Sequence, residues 1–223
     1  NLARKLAHEI KNPLTPIQLT IDRIKDKYLN QISTDNKDGF TDNLKIINNQ
    51  IKQIEKLVNE FSDFARMPKP ILNNNNLVLI INDNISLLKQ IDTSIEFNFV
   101  KNKDKILLNS DKEQISRVFL NLIKNSIESI KEKDQKTNNI NKKISIELIE
   151  DDKHISVIIK DTGIGFKNLK NDIRDILNPY FTTKKDGTGL GLSIVNKIIN
   201  DHNGTIKFDS IDDGAKIEIS FLK

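Results

Sequence analysis

Apolar residues recur every three or four positions through the first third of the chain. In residues 2–30 they fall at Leu6, Ile10, Ile17, Ile21, Ile24 and Tyr28, which predicts an amphipathic helix. Residues 33–39, STDNKDG, are turn formers and are expected to break it. A second run follows, Leu44, Ile47, Ile51, Ile54, Val58, Phe61 and Ala65, with the unbroken three-four alternation of a coiled-coil seam. Two such helices joined by a short loop form an antiparallel hairpin. One hairpin leaves part of its apolar stripe in water, and pairing with a second copy into a four-helix bundle buries it, so a homodimer is expected. Met67-Pro68-Lys69-Pro70 should end the second helix, because proline lacks an amide proton and restricts the residue before it. Asn73–Asn76 reads as a linker and hinge, giving expected domains at 1–70 and 71–223.

The remainder predicts mixed elements. Residues 77–91 read as helix and 95–100 and 105–108 as strands. Residues 111–131 form a strong amphipathic helix with Asp111 as N-cap. Residues 143–149 and 154–160 alternate polar and apolar and pair as strands around the turn 150–153. Residues 166–187 are long, polar and irregular, which in a compact domain points to function. A helix over 190–200 and a hairpin of 204–210 with 215–222 close the chain. Helices grouped against an antiparallel sheet give a two-layer sandwich, so the class is α+β.

Composition narrows the partners. The 223 residues are 37% hydrophobic and 30% charged, an ordinary soluble balance. No apolar stretch approaches the roughly 20 residues of a membrane span, and no signal-peptide pattern is visible. With no cysteine, disulfides and thiolate metal sites are excluded. The net charge is +4, but the 35 basic and 31 acidic residues are interspersed, as in KEKDQK, so no nucleic-acid partner is expected.

Candidate chemistry begins in LAHEIKNPLTPI, residues 6–17. With Ile10 in the hairpin core, His8 lies about 200° around the helix and faces solvent. An exposed imidazole is a nucleophile, and Glu9 beside it can orient the ring or take its proton. Asn12 is one turn on, and Pro13 should kink the helix. In NLIKNSIES, Asn121 and Asn125 share a helix face, and their amide oxygens suit Mg2+. DTGIG, residues 161–165, follows a strand, and Asp161 there can accept a hydrogen bond from an exocyclic amine such as that of adenine. GTGLGLSIV, residues 187–195, is a glycine-rich loop entering a helix, a ready anion site. PYFTTKK precedes it, with Thr182, Thr183 and Lys184 in reach of a nucleotide's phosphates. Each element alone is commonplace: a surface histidine, solvated asparagines, an ordinary turn.

Their order is not commonplace. An exposed histidine on a hairpin, then Asn-x-x-x-Asn, DTGIG, PYFTTK and GTGLGL resembles the histidine kinase core, over essentially the whole chain. HEIKNPLTPI together with EFSDFARMPKP is most similar to the nitrogen-regulation sensor kinases. The resemblance implies a dimerisation and phosphotransfer hairpin followed by an ATP-binding domain of the Bergerat, or GHKL, fold. It makes His8 the phosphoacceptor, Glu9 its base, and Asn12 the holder of a water during phosphatase action. Asn125 and Asn121 would bind Mg2+, and Asp161 would read adenine. Gly163, Gly165 and the loop Gly187, Thr188, Gly189, Leu190 and Gly191 would shape the nucleotide pocket. The partner implied is a response-regulator receiver domain, whose aspartate takes the phosphoryl group. The location implied is cytoplasmic, with any inner-membrane anchor in other parts of a longer sensor, since the first helix is expected to continue upstream.

Two departures stand out: Ser126 where alanine is usual, and a segment between Gly165 and Pro179 rich in Lys, Asn and Asp. His154 and His202 match no catalytic position and are expected to be surface and turn residues. Two other readings remain open. One is a nucleotide-driven clamp or ATPase of the same superfamily, which lacks the histidine hairpin. The other is a dimeric scaffold with vestigial boxes.

Overall fold

The computed structural model describes residues 2–137, 140–166, 173–184 and 187–223. Two compact units make up the chain: Asn1–Pro68 with Thr182–Leu190, and Lys69–Phe181 with Gly191–Lys223.

The first unit is built on α1 (Leu2–Tyr28) and α2 (Thr34–Ala65). Ala7, Leu14 and Ile21 on α1 and Leu44, Ile51 and Val58 on α2 are buried, each series spaced by seven. Leu14, Ile21, Leu44 and Ile51 form one cluster, joined by Ile24 and Phe40. Seven residues are nearly two helical turns, so each series makes a straight stripe along its helix. Ile10, expected in this core, is 42% exposed, and Ile17, Ile47 and Ile54 are similarly open. They belong to a second stripe that the hairpin itself does not cover.

Residues 34–39, expected to break the helix, open α2 instead. Ser33 is its N-cap, and Asn36 donates backbone and side-chain hydrogen bonds to Ser33. Polar residues that favour turns also favour a helix's first turn, where amides lack partners and Asp35 meets the positive end of the dipole. Helix α2 stops before the prolines, as expected.

The second unit contains β1 (Asn73–Asn76), α3 (Leu77–Lys89), β2 (Glu96–Lys101), β3 (Leu107–Ser110), α4 (Lys112–Thr137), β4 (Lys143–Glu150), β5 (His154–Asp161), a 3-10 turn (Ile173–Leu177), α5 (Gly191–Asp201), β6 (Gly204–Ile211) and β7 (Gly214–Leu222). The asparagine run is a strand, not a linker: β1 pairs antiparallel with β3, Asn73 opposite Ser110. Backbone ladders do not depend on side-chain polarity at an open edge. Asn76 also caps α3 through Val78 N and accepts from Ile106 N.

The main sheet runs β2-β4-β5-β7-β6. It is mixed, because β2 and β4 are parallel while the other pairs are antiparallel. The chain between β2 and β4 passes through β3 and α4, a crossover long enough to bring β4 back in the same direction. Helix α4 packs on β4 and β5, α5 on β6, and α3 on β2. The core lies between the layers, with Phe119, Leu122, Ile123 and Ile130 of α4 over Ile144, Ile146, Val157, Ile159 and Ile219 of the sheet. Among the described residues no helix is long and apolar enough to cross a membrane.

Asp111 caps α4 as expected, accepting from Glu113 N and Gln114 N. Its own amide donates to Nε2 of His202, at 3.0 Å, and His202 Nδ1 donates to Ile198 O at 2.7 Å. His202 is therefore a buried pin between α4 and α5, a role the sequence did not suggest. His202→Ala should leave the Asp111 amide without its acceptor and lower stability by about 1–3 kcal/mol. Urea unfolding followed by circular dichroism measures this, and an unchanged midpoint would contradict it.

Candidate functional site

Helix α4 turns one face to the core with Leu122, Ile123, Ile127 and Ile130. A polar row runs beside it: Asn121, Asn125, Ser129 and Lys133 at intervals of four, with Ser126 next to Asn125 and one turn before Ser129. This row meets the loop that leaves β5. Asp161 ends β5, still paired with Ile144 on one side and Ala215 on the other, so its carboxylate sits on a rigid base.

The carboxylate is 4% exposed. Its Oδ2 accepts from Ser126 Oγ at 2.9 Å and its Oδ1 from the Gly163 amide at 2.9 Å. Burial pushes the Asp161 carboxyl above the usual carboxylate range, and the Gly163 amide, the Ser126 hydroxyl and the Ala215 amide partly offset it.

The loop is pinned along its length. Ile164 N donates to Ser129 Oγ at 3.0 Å, and Lys133 Nζ donates to Thr162 O at 3.0 Å. Lys133 also pairs with Asp213. A Cβ on Gly163 would stand 2.2 Å from Ser129 Oγ, so α4 can approach only a glycine there. A Cβ on Gly214, at φ +117°, would stand 1.8 Å from Asp161 O. The result is one buried acceptor with two oxygens held in place, beside backbone that tolerates no added side chains.

Beside it, Asn121 and Asn125 are half-buried on α4. Asn121 Nδ2 donates to Arg117 O at 3.0 Å, which leaves its Oδ1 near Gly191, where an added Cβ would lie 3.5 Å away. Among the described residues no group of three His, Asp or Glu is placed to hold a metal ion. A hard divalent cation would find amide oxygens here, and these suit Mg2+ when phosphates supply the remaining ligands. A purine amine and a metal-bound phosphate both fit this donor and acceptor set.

Of the residues singled out from sequence, Asn121, Asn125, Asp161, Gly163, Gly165 and Gly191 come together in the second unit. Thr182, Thr183, Lys184, Gly187, Thr188, Gly189 and Leu190 belong to the first. There Lys184 N donates to Thr182 Oγ1, Gly187 N donates to Lys184 O, and Thr188 Oγ1 donates to Glu60. Gly189 has φ +69°. Residues 167–172 of the long polar segment, and residues 185–186 next to Lys184, lie outside the described residues.

His8, Glu9 and Asn12 are exposed on α1. The solvent position of His8 holds for a different reason than expected: its neighbour Ala7, rather than Ile10, is the buried residue. Lys5 approaches Glu9 at 3.9 Å on the open surface, a contact of little energetic weight. His154 is a half-buried strand residue near Asp151. Ser129, Lys133 and Gly214 went unnoticed in the sequence. The repeat of four from Asn125 to Ser129 to Lys133 is the signal that marks two of them, whereas Gly214 looks like any hairpin-turn glycine.

Residues 1–70 match the family model of the His Kinase A (phospho-acceptor) domain. Residues 110–223 match that of the histidine kinase-, DNA gyrase B- and HSP90-like ATPase. A putative sensor histidine kinase NtrY-like of Rickettsia felis is 35% identical over 99% of this chain and 35% of its own length. The nitrogen regulation protein NtrY of Azorhizobium caulinodans is 33% identical over 96% of this chain and 27% of its own. The chain thus spans about a third of the curated relatives it matches. The solved histidine kinase ThkA, in complex with the response regulator protein TrrA, superimposes on 100% of this chain and 61% of its own, with TM-score 0.66 and 26% identity.

The upward shift of the Asp161 pKa has a consequence for stability. The native carboxyl holds its proton more tightly than the unfolded one, so the native state binds more protons between the two values. Stability of the ligand-free protein should therefore fall as pH rises from the ordinary carboxylate range through the native value. Asp161→Asn should flatten that slope and leave the ligand-free protein more stable at neutral pH. Urea midpoints at a series of pH values measure this, and an identical slope in both proteins would refute it.

Proposed function

The chain belongs to the histidine kinase family, and on that premise we propose that it phosphorylates His8 from ATP and passes the phosphoryl group to an aspartate of a response-regulator receiver domain. The exposed His8 on a two-helix hairpin carries this reading, because the clamp ATPases of the same superfamily have no such hairpin. On this reading residues 1–70 serve dimerisation and phosphotransfer and residues 71–223 bind ATP. With Asn73–Asn76 engaged as a strand, the hinge falls earlier, at residues 67–70 with Pro68 and Pro70, since Ile71 N already bonds Asp111.

In the transfer, an imidazole nitrogen of His8 attacks the γ-phosphorus, the bond to the β-phosphate oxygen breaks, ADP leaves, and Glu9 takes the imidazole proton. Asp161 holds the adenine amine, and Asn121 and Asn125 offer oxygens to Mg2+, which when bound neutralises phosphate charge. Thr182, Thr183, Lys184 and the Gly187–Gly191 loop, with Thr188, Gly189 and Leu190, close on the phosphates. Asn12, one turn from His8, positions a water that attacks the regulator's aspartyl phosphate and releases inorganic phosphate in the opposing, phosphatase, activity.

The uncovered stripe of Ile10, Ile17, Ile47 and Ile54 is the dimer face on this reading. Ile54→Asp should give a monomer by light scattering with the hairpin intact, because each buried Ile contributes about 1.5–3 kcal/mol. Ile51 is unsuitable for that test, since it sits inside the hairpin's own core. A dimer that survives Ile54→Asp would remove this face as the interface.

His8→Gln should abolish incorporation of acid-labile label from γ-labelled ATP, while Asn12→Ala should retain it and slow loss of label from a phosphorylated regulator several-fold. Label retained by His8→Gln would exclude His8 as the phosphoacceptor. Regulator dephosphorylated at full rate by Asn12→Ala would exclude the role given to Asn12.

A further inference from the structure

The polar row of α4 does two different jobs. Ser129 and Lys133 bond loop backbone, at Ile164 N and Thr162 O. Ser126 bonds the carboxylate itself, at 2.9 Å, from a position 1% exposed. Two backbone amides also serve this carboxyl, Gly163 N of the loop at 2.9 Å and the Ala215 amide of β7, so Ser126 is the side-chain donor beside them. Ser126 is flanked by Leu122, Ile123, Ile127 and Ile130 in the packed core, which fixes where its hydroxyl stands.

We propose that Ser126 is the positioning residue that fixes the orientation and charge of the Asp161 carboxylate and thereby sets preference for a nucleobase with a 6-amino group. The proposal rests on the reading of Asp161 as the adenine acceptor.

The chemistry follows from the hydroxyl. It has one proton, and while it donates that proton to Oδ2 the carboxylate is held as an anion with lone pairs to spare for an incoming amine. A carboxylic acid would instead present its own proton, and the hydroxyl would have to turn to accept it. Ser126 therefore favours the ionised state in a site whose burial favours the neutral one. A base with a 6-amino group supplies a donor to this acceptor. A base without one leaves the buried carboxylate unmatched, and unmatched buried polar groups discriminate strongly.

The test measures dissociation constants for ATP and for purine riboside triphosphate, which lacks the amine, by titration calorimetry across acidic to neutral pH. It compares the 223-residue wild type, Ser126→Ala and Ser129→Ala. Ser126→Ala should lose about tenfold or more in ATP affinity, as expected for a hydrogen bond to a charged group. It should lose much less for the analogue. The pH at which ATP affinity falls on acidification should move upward. Ser129→Ala should weaken both ligands alike and leave that pH where it was.

A wild type that binds both triphosphates equally overturns the adenine reading and this proposal with it. A discriminating wild type beside a Ser126→Ala with the same ligand ratio and the same pH profile overturns the proposal alone. If the alanine variant does not fold, Ser126→Cys makes the same comparison, since a thiol of similar size is a much weaker donor.

Discussion

A carboxylate buried to 4% exposure at the end of β5 sets the terms for everything around it. A charge removed from water is tolerated only with hydrogen-bond donors around it. Those donors come from α4 at Ser126, from the loop at Gly163 and from β7 at Ala215. Three elements must therefore meet at one point. Their approach leaves no room for side chains, so Gly163 faces Ser129 and Gly214 faces the Asp161 carbonyl. The glycines of this region are thus a consequence of close backbone approach. The ladder pairs Asp161 with Ile144 and Ala215 and keeps the acceptor from yielding to that crowding.

The hairpin answers a different constraint. Two apolar stripes wind along α1 and α2, and a pair of helices can cover one of them. Ala7, Leu14, Ile21, Leu44, Ile51 and Val58 take the covered stripe, and Ile10, Ile17, Ile47 and Ile54 are left in water. His8 and Asn12 occupy neither, which leaves an accessible polar face on a helix otherwise committed to packing. A helix with three such faces can serve folding, assembly and chemistry at once, because 3.6 residues per turn separate them around its circumference.

Much of this was legible in the amino-acid order. The long helices, the strands after residue 143 and the Asp111 cap follow from periodicity and capping chemistry, which act within a few residues. Asp161 and its glycines stood out because glycines next to an acid after a strand are locally unusual. Other features were hidden because they depend on partners distant in sequence. Asn73–Asn76 is a strand because β3 lies beside it, 31 to 37 positions on. His202 is the turn residue its position suggests, but the Asp111 amide that meets its ring is 91 positions away in sequence. Polar residues 34–39 suit a turn and a helix start equally, and only the packing that follows decides between them.

The sequence by itself determined which segments are amphipathic, where helices can start and stop, and which residue types are available for chemistry. Those properties are local, carried by side-chain volume, polarity and backbone freedom. Only the tertiary structure decided that β4 returns parallel to β2, that Ile10 belongs to the uncovered stripe and that Ser126 meets Asp161. Each of these is a choice among pairings that local preference leaves nearly equal. They are settled by which arrangement buries the most apolar surface while leaving Asp161 its hydrogen bonds.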